Sequence, residues 1–559
     1  MNINNDREKR NREYKQNYPG AFPRLDDAQL ALLEEFAERK TYLDGEFLLK
    51  AGETEFKFHI IKKGRIEIVD RSSGTSNTVL IHESGEFTGD LANLAGRSSN
   101  VDAVALGDVD VLEISRKNFH QIISERPNLS DLILQTFISR SEALVGREGF
   151  TGLRVIGSQY SRDTFRIRDF LSKNSVLYTW INVETDVQVG ELLEQFQIRP
   201  EETPVVSYAE DWVMRNPSNS ELAKKIGLKN VNSYDTLFDL AIVGGGPAGL
   251  AAAVYGASEG LKTIVLERLA PGGQAGGSAK IENYLGFPTG LSGAELADRA
   301  TLQARKFGAH LSTPARVTKL TFEGKFKILE LKGGEKITTK ALLIASGADY
   351  RKLPIENRER FDSAGVYYAA TPMEAKMCAD REVVVVGGGN SAGQAAIFLS
   401  EVVCKVFLLI RRDNLPETMS HYLLQRIRET PNIEVLVNTE IHSMQGDTYL
   451  EKVELINNIS GEKRDLAVAA VFSFIGAKPC TTWLPEEIET DKNGFVCTGP
   501  EVSSSPHWNL ERQPFWLETS RPGVFASGDV RASSVKRVAS AVGEGSMAVQ
   551  FVHEYLKEI

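Results

Sequence analysis

Residues 237–243 read as a strand that runs straight into Gly244-Gly245-Gly246-Pro247-Ala248-Gly249, and an alanine-rich helix continues to Ser258. Few chain geometries tolerate that junction. Gly244 permits the tight turn, Gly246 lets a pyrophosphate approach the backbone, and Gly249 allows close packing of helix on strand. The next strand, 262–266, ends at Glu267, where a carboxylate can accept from ribose hydroxyls. The pattern then recurs: strand 382–386, Gly387-Gly388-Gly389-Asn390-Ser391-Ala392, a helix to Ser400, and a second strand at 405–409. Here the terminal acid is missing and Arg411-Arg412 stand in its place. A carboxylate would repel a 2′-phosphate, whereas paired guanidinium groups would bind one, so the second nucleotide is expected to be NADPH. Solvent-facing arginines are the alternative reading of that pair.

At 559 residues the chain exceeds what one hydrophobic core serves, and roughly three or four domains are expected. Its 65 Lys and Arg against 75 Asp and Glu, a net charge of −10, argue against a nucleic-acid scaffold. Four cysteines, Cys378, Cys404, Cys480 and Cys497, include no CxxC, so neither a zinc-knuckle spacing nor a vicinal redox dithiol exists and no metal site is expected. The first eighteen residues lack an apolar stretch for a signal peptide, and no later run is long and apolar enough to span a bilayer. A cytoplasmic protein without a membrane partner is the expectation.

Residues 1–18 are polar enough to predict a mobile arm. A helix capped by Asp26 or Asp27, period-two strands at 59–69, 78–81 and 110–114, and a helical stretch over 117–144 predict a small β-roll domain at 19–150. A second unit, 151–232, alternates strand 153–157, helix 166–173, strand 176–182, helix 187–196, a strand at 203–206 and a helix at 220–226. The remainder alternates strand and helix, the signature of parallel, doubly wound α/β sheets. Two nucleotide folds on one chain are explained by a flavin: FAD in the first can accept a hydride from NADPH in the second. The C-terminal strand ends in Gly528-Asp529, whose acid can bond a ribityl hydroxyl, and Arg537-Val538-Ala539 open a helix whose N-terminus suits the flavin pyrimidine.

With Gly272-Gly273-Gln274, Ile281-Glu282-Asn283, Ala345-Ser346-Gly347-Ala348, the second glycine turn and Gly528-Asp529 in order, residues 237–559 resemble the low-molecular-weight thioredoxin reductases. The resemblance implies Rossmann-type FAD and NADPH domains, the FAD domain at 233–351 and 475–559 and the NADPH domain inserted at 352–474. It also implies a homodimer and a rotation of the two domains during turnover. It places Gly273, Gln274, Asn283 and Gly347 at the flavin, beside Gly244, Gly246, Pro247, Ala248, Gly249 and Glu267, and Gly387, Gly389, Asn390, Ser391 and Ala392 at NADPH. One departure is decisive. The family's reactive CxxC follows a Gly-Val-aromatic-aromatic sequence, and here Gly365-Val366-Tyr367-Tyr368 is followed by Ala369-Ala370-Thr371-Pro372. Cys378 is the nearest remaining thiol, a small buried hydrophobe on one reading and a reactive group on the other.

Residues 19–145 resemble cyclic-nucleotide-binding domains of the catabolite-activator type, through Gly52-Glu53, Gly64-Arg65-Ile66-Glu67-Ile68 and the segment 85–92 leading to Arg97-Ser98-Ser99. Gly89, Asp90, Leu91, Arg97 and Ser98 are the implied effector residues; Asp90 stands where the family carries Glu, and no helix-turn-helix follows. A β-roll retained only for contacts is the alternative. Residues 151–232 are similar to glutaredoxin or thioredoxin-like domains, with Thr203-Pro204 a candidate cis-proline and no cysteine in Ser158-Gln159-Tyr160-Ser161-Arg162-Asp163-Thr164. Two functions stand at this point. One is an FAD-dependent NADPH oxidoreductase, modulated by a cyclic nucleotide, with a small molecule or a redox protein as acceptor. The other is a sensor of NADPH and a second messenger that signals to a partner by conformation.

Overall fold

A computed structural model describes residues 3–53, 57–70, 76–90, 99, 101–145, 153–176, 178–186, 189, 199, 202–208, 212–228, 236–414 and 419–559. Two compact units emerge: Met1–Ser158, Ser175–Asn230 and Arg305–Gly308 form the first, and Gln159–Asn174, Val231–Ala304 and Ala309–Ile559 the second. Among the described residues no helix is long and apolar enough to cross a membrane.

The expectation of a mobile arm at 1–18 is corrected, because Ile3–Asn17 forms a helix, α1. It docks against the edge of a five-stranded antiparallel sheet built on β1 (Lys57–Asp70), β2 (Asn77–Glu83) and β3 (Asp102–Ser115). The Asn11 amide donates to the Ile81 carbonyl at 3.2 Å and its oxygen accepts from the Ile81 N–H at 2.9 Å, so one side chain substitutes for a missing strand partner on β2. Lys15 pairs with the buried Glu86 at 2.7 Å, and Tyr14 packs on Tyr18 and Phe22. Composition misled here because a few well-placed anchors suffice where an edge strand offers partners. The helical stretch predicted over 117–144 is two helices, Arg116–Glu125 and α2 (Pro127–Val145), divided where Arg126 precedes a proline and leaves the helical conformation.

In the first unit Leu153–Gly157 pairs in parallel with Thr179–Asn182 and antiparallel with Val205–Tyr208, which pairs with Trp212–Arg215. The Thr203–Pro204 bond is cis. The helix expected at 187–196 lies almost wholly outside the described residues. Helix α3 (Arg162–Lys173), capped by the Ser161 hydroxyl, belongs to the second unit.

The second unit holds two sheets with parallel centres, the first of seven strands and carrying an antiparallel pair, Val317–Glu323 and Phe326–Leu331, along one edge. In the first, β4 (Phe238–Val243) lies between β5 (Thr263–Leu266) and β6 (Lys336–Ile344), all parallel, with helix α4 (Pro247–Ser258) following β4. The chain leaves this sheet through β7 (Ala348–Tyr350). It then forms β8 (Val366–Tyr367), the short helix α5 (Pro372–Met377), β9 (Glu382–Val386), α6 (Asn390–Ser400), β10 (Lys405–Ile410) and β11 (Ala470–Ser473). The second sheet runs β8, β11, β9, β10 and Ile433–Val437, every pair parallel. The return strand β12 (Ala477–Pro479) pairs with β7, Tyr350 opposite Ala477, so exit and re-entry lie side by side. The first sheet is completed by β13 (Val524–Ala526) on β6, and α7 (Val538–Lys557) packs across α4.

Candidate active site

Each glycine turn sits at the carboxyl end of the central strand of its sheet, where open α/β sheets bind ligands. A Cβ added at Gly244 would lie 2.2 Å from the Ala345 carbonyl oxygen, and one at Gly249 would lie 1.9 Å from the Gly244 oxygen, so packing alone forbids both side chains. Gly246, the N-cap of α4, differs: its nearest neighbour would be the Gly273 Cα, at 3.9 Å. The second turn repeats this division. A Cβ at Gly387 would stand 2.6 Å from the Phe474 oxygen, whereas one at Gly389 would meet nothing within 4 Å. In both turns the glycine at the helix start faces room, which is the cradle a pyrophosphate fits at a helix N-terminus.

Glu267 is buried beside the first turn. Its carboxylate accepts from the Gly245 N–H at 2.7 Å and from the Leu269 N–H at 2.9 Å. Burial pushes its ionisation upward against those two bonds. The loop at Gly272-Gly273 folds over the same turn: the Gly272 N–H donates to the Gly245 oxygen at 2.7 Å, and a Cβ on Gly273 would lie 3.0 Å from the Gly246 Cα. Gln274 donates to the Ala348 oxygen at 3.3 Å, one residue past Gly347, while Asn283 is exposed further along. A Cβ on Gly528 would stand 3.1 Å from the Ala248 Cβ and 3.6 Å from the Ala541 Cβ, which places Gly528, followed by Asp529, between the start of α4 and the first turns of α7, the helix that Arg537, Val538 and Ala539 open. Glu544, unremarked in the sequence, accepts from the Gly528 N–H at 2.7 Å and pairs with Arg531 at 2.5 Å, fixing that turn to α7.

At the second turn, Asn390 accepts from the Ser420 N–H at 2.7 Å, Ala392 is buried, and Ser391 is exposed. Arg411 and Arg412 follow β10 and are exposed.

Between the two turns lies a cleft whose lining includes Gln274, Ser278, Tyr350, Tyr368, Ala369 and Phe474. No lining residue carries a formal charge. Tyr350 stands edge-on to Phe474, and its hydroxyl donates to Ser391 at 3.4 Å, linking the exit strand to the second glycine turn. Burial, helped by Asp529, raises its ionisation, so the phenol stays a donor. The Tyr368 hydroxyl donates to Asp362 at 2.8 Å under the Lys352 ammonium, 3.7 Å above its ring. Sequence reasoning missed Tyr350 and met Tyr368 only as part of the stretch before the absent cysteines; the tertiary fold brings both to the cleft.

Ala369-Ala370-Thr371-Pro372 leads from the cleft into α5, with Ala370 bridged to Ser278. Cys378 ends that helix, 1 % exposed within an apolar cluster, and burial pushes its thiol up to about 12. Cys480, pushed up to about 11 by burial, and Cys497 are both free thiols.

In the N-terminal sheet domain, Gly89 has φ 107° and Asp90 is half-buried, while Leu91, Arg97 and Ser98 lie outside the described residues. Arg140 of α2 is buried and donates to the carbonyls of Ala21, Phe87 and Gly89 at 2.8, 2.8 and 2.6 Å, clamping the chain that enters the candidate effector segment. Burial lowers its ionisation to about 10, so it remains charged at neutral pH.

Two sheets with parallel centres, each with an open glycine turn at the carboxyl end of its central strand, and an uncharged cleft lined from both by Gln274 and Ser391, define a two-nucleotide oxidoreductase. Residues 238–545 match the pyridine nucleotide-disulphide oxidoreductase model and residues 39–126 the cyclic nucleotide-binding domain model. The chain belongs to the pyridine nucleotide-disulphide oxidoreductases, on their thioredoxin reductase branch, with an N-terminal cyclic nucleotide-binding domain. It is 35% identical over 322 residues to thioredoxin reductase of Treponema pallidum, covering 58% of this chain and 98% of that protein. It is 31% identical over 318 residues to a 34.2 kDa protein in the rubredoxin operon of Clostridium pasteurianum, covering 57% and 97%. Lactococcus lactis thioredoxin reductase in its FR conformation superposes with a TM-score of 0.52 at 30% identity, covering 58% of this chain and all of that one. FAD and NADPH are the cofactors of this family, and the two cradles fit them.

Proposed function

We propose that this chain is an FAD-dependent NADPH oxidoreductase that passes reducing equivalents to its acceptor at the cleft directly, with no dithiol relay. The observation that carries the proposal is Ala369-Ala370 at the cleft wall, running through Thr371-Pro372 into α5, with Cys378 at the far end of that helix, buried and held protonated. Bound FAD supplies the chemistry of taking a hydride from NADPH and releasing two electrons to an acceptor. The chain's part is to hold one pyrophosphate against Gly246 and the other against Gly389, to seat the ribose by Glu267 and the ribityl chain by Asp529, and to choose the phosphorylated nucleotide by Arg411 and Arg412. The uncharged, aromatic-rimmed cleft suits a small planar acceptor such as a quinone or a second flavin.

The test is anaerobic mixing with NADPH followed by an acceptor screen. The visible flavin band should bleach, thioredoxin should be reduced very slowly or not at all, and Cys378→Ser should bleach at the native rate. Rapid thioredoxin turnover by the native protein would overturn the proposal.

A cyclic nucleotide is the proposed ligand of the N-terminal domain, held by Asp90 at the ribose and Arg97 at the phosphate, with Gly89, Leu91 and Ser98 shaping the segment. It can alter turnover only as far as it favours one conformation, with a coupling of about 1 to 3 kcal/mol being typical. Titration of cyclic mononucleotides should raise the melting temperature of the native protein and leave Arg97→Ala unmoved. No stabilisation by any of them would leave the domain a structural module.

A further inference from the structure

Helix α3 and the two residues before its cap touch three separate parts of the second unit. At the N-terminal end, the Tyr160 ring stacks on Tyr449 with centroids 4.5 Å apart and planes 18° apart. Tyr449 belongs to the inserted domain, where the next residue, Leu450, donates its N–H to the Ala364 carbonyl at 2.9 Å. One turn into α3, Phe165 lies 5.4 Å from the Tyr367 ring of β8 and packs on the apolar cluster that contains Ala370, Ala375 and Cys378. At the C-terminal end the Asn174 amide donates to the Leu269 carbonyl at 3.0 Å, two residues beyond Glu267 on the flavin side. The same amide donates to the Phe170 carbonyl of α3 at 2.8 Å, which fixes its direction.

One rigid helix therefore begins on the inserted domain, crosses the strand leading to the cleft, and ends on the flavin domain. A second tie spans the same two domains: Arg426 contacts both carboxylate oxygens of Glu282, at 3.0 and 2.9 Å. The covalent links between the domains are β7 and β12, a pair of three-residue strands, and such a short pair resists rotation poorly. Hydride transfer is acutely sensitive to donor–acceptor placement, and a misplacement of about 1 Å can cost on the order of 100-fold in rate.

We infer that residues 159–174 are a clasp across the two nucleotide domains, and that Tyr160, Phe165 and Asn174 are positioning residues for the transfer of hydride from NADPH to the flavin. The inference rests on the oxidoreductase reading above. A dithiol relay would require the inserted domain to swing so that the thiols meet the flavin and then an outside disulfide. With both cysteines replaced, the swing has no task, and a permanently held nicotinamide domain is compatible with turnover.

The test compares Tyr160→Ala, Tyr449→Ala and Tyr160→Phe with the native full-length holoprotein, by stopped-flow bleaching with NADPH and by hydrogen–deuterium exchange at β7 and β12. Either alanine variant should slow bleaching by about tenfold or more, with flavin content and reduction by dithionite unchanged, while Tyr160→Phe keeps the stack and the native rate. Exchange at the connecting strands should rise in both alanine variants. The two substitutions reach one contact from opposite sides, so the double variant should be no slower than either single one. Native bleaching rates with unaltered exchange in both alanine variants, or faster bleaching in either, would overturn the clasp. Native protein that NADPH does not bleach would overturn the oxidoreductase reading alone. The exchange measurement would then decide the clasp: a rise in the alanine variants sustains it, and no rise sinks it.

Discussion

Gly246→Val should yield a folded, colourless protein. The backbone there, at φ −75° and ψ −175°, is open to a β-branched residue, and a Cβ has 3.9 Å of clearance from its nearest protein atom. The added methyl groups enter only the space the pyrophosphate needs, so flavin occupancy should fall by about tenfold or more while circular dichroism is retained. Gly249→Val is the contrasting variant: its Cβ would sit 1.9 Å from the Gly244 oxygen, and it should lose fold and flavin together. Full flavin occupancy in Gly246→Val would remove the first glycine turn as the FAD site.

The second large effect is on nucleotide choice. Replacing Arg411 and Arg412 together by Ala should remove charge-assisted contacts to the 2′-phosphate worth on the order of 2 to 4 kcal/mol, or roughly 30- to 1000-fold in NADPH affinity. NADH lacks that phosphate, and its kinetics should change little. The exposure of both arginines at the end of β10 means that their loss leaves the sheet core intact. Equal losses with the two nucleotides would assign the pair to the fold instead.

The glycine turns were legible in the sequence because everything they require is local. A strand, a turn that excludes side chains and a helix follow one another without interruption, from Phe238 to Ser258 and from Glu382 to Ser400, so the covalent order carries the geometry. The arginine pair after β10 was legible for the same reason. Tyr350, Tyr368 and Glu544 were not: the cleft and the Gly528 turn are assembled from distant segments, and no spacing rule relates Gly528 to an acid one helical stretch later. The N-terminal arm was misread because α1 has almost no apolar face of its own and takes its stability from the edge of β2. Helix α3 was predicted at 166–173 as part of an α/β module, yet its contacts with Tyr367, Tyr449 and Leu269 place it with the nucleotide domains. Periodicity fixes which residues a helix can bury, not which neighbour buries them.

The alanines at the cleft wall also bear on poisoning. Alkylating agents, arsenicals and gold(I) compounds disable dithiol flavoenzymes by capturing a reactive thiolate. None of the four thiols lines the cleft: Cys378 is buried and held protonated, burial pushes the half-buried Cys480 up to about 11 and raises Cys497, and the exposed Cys404 lies on the turn between α6 and β10. An organism under electrophilic attack could lose its thiol-dependent reductases and keep this route from NADPH open.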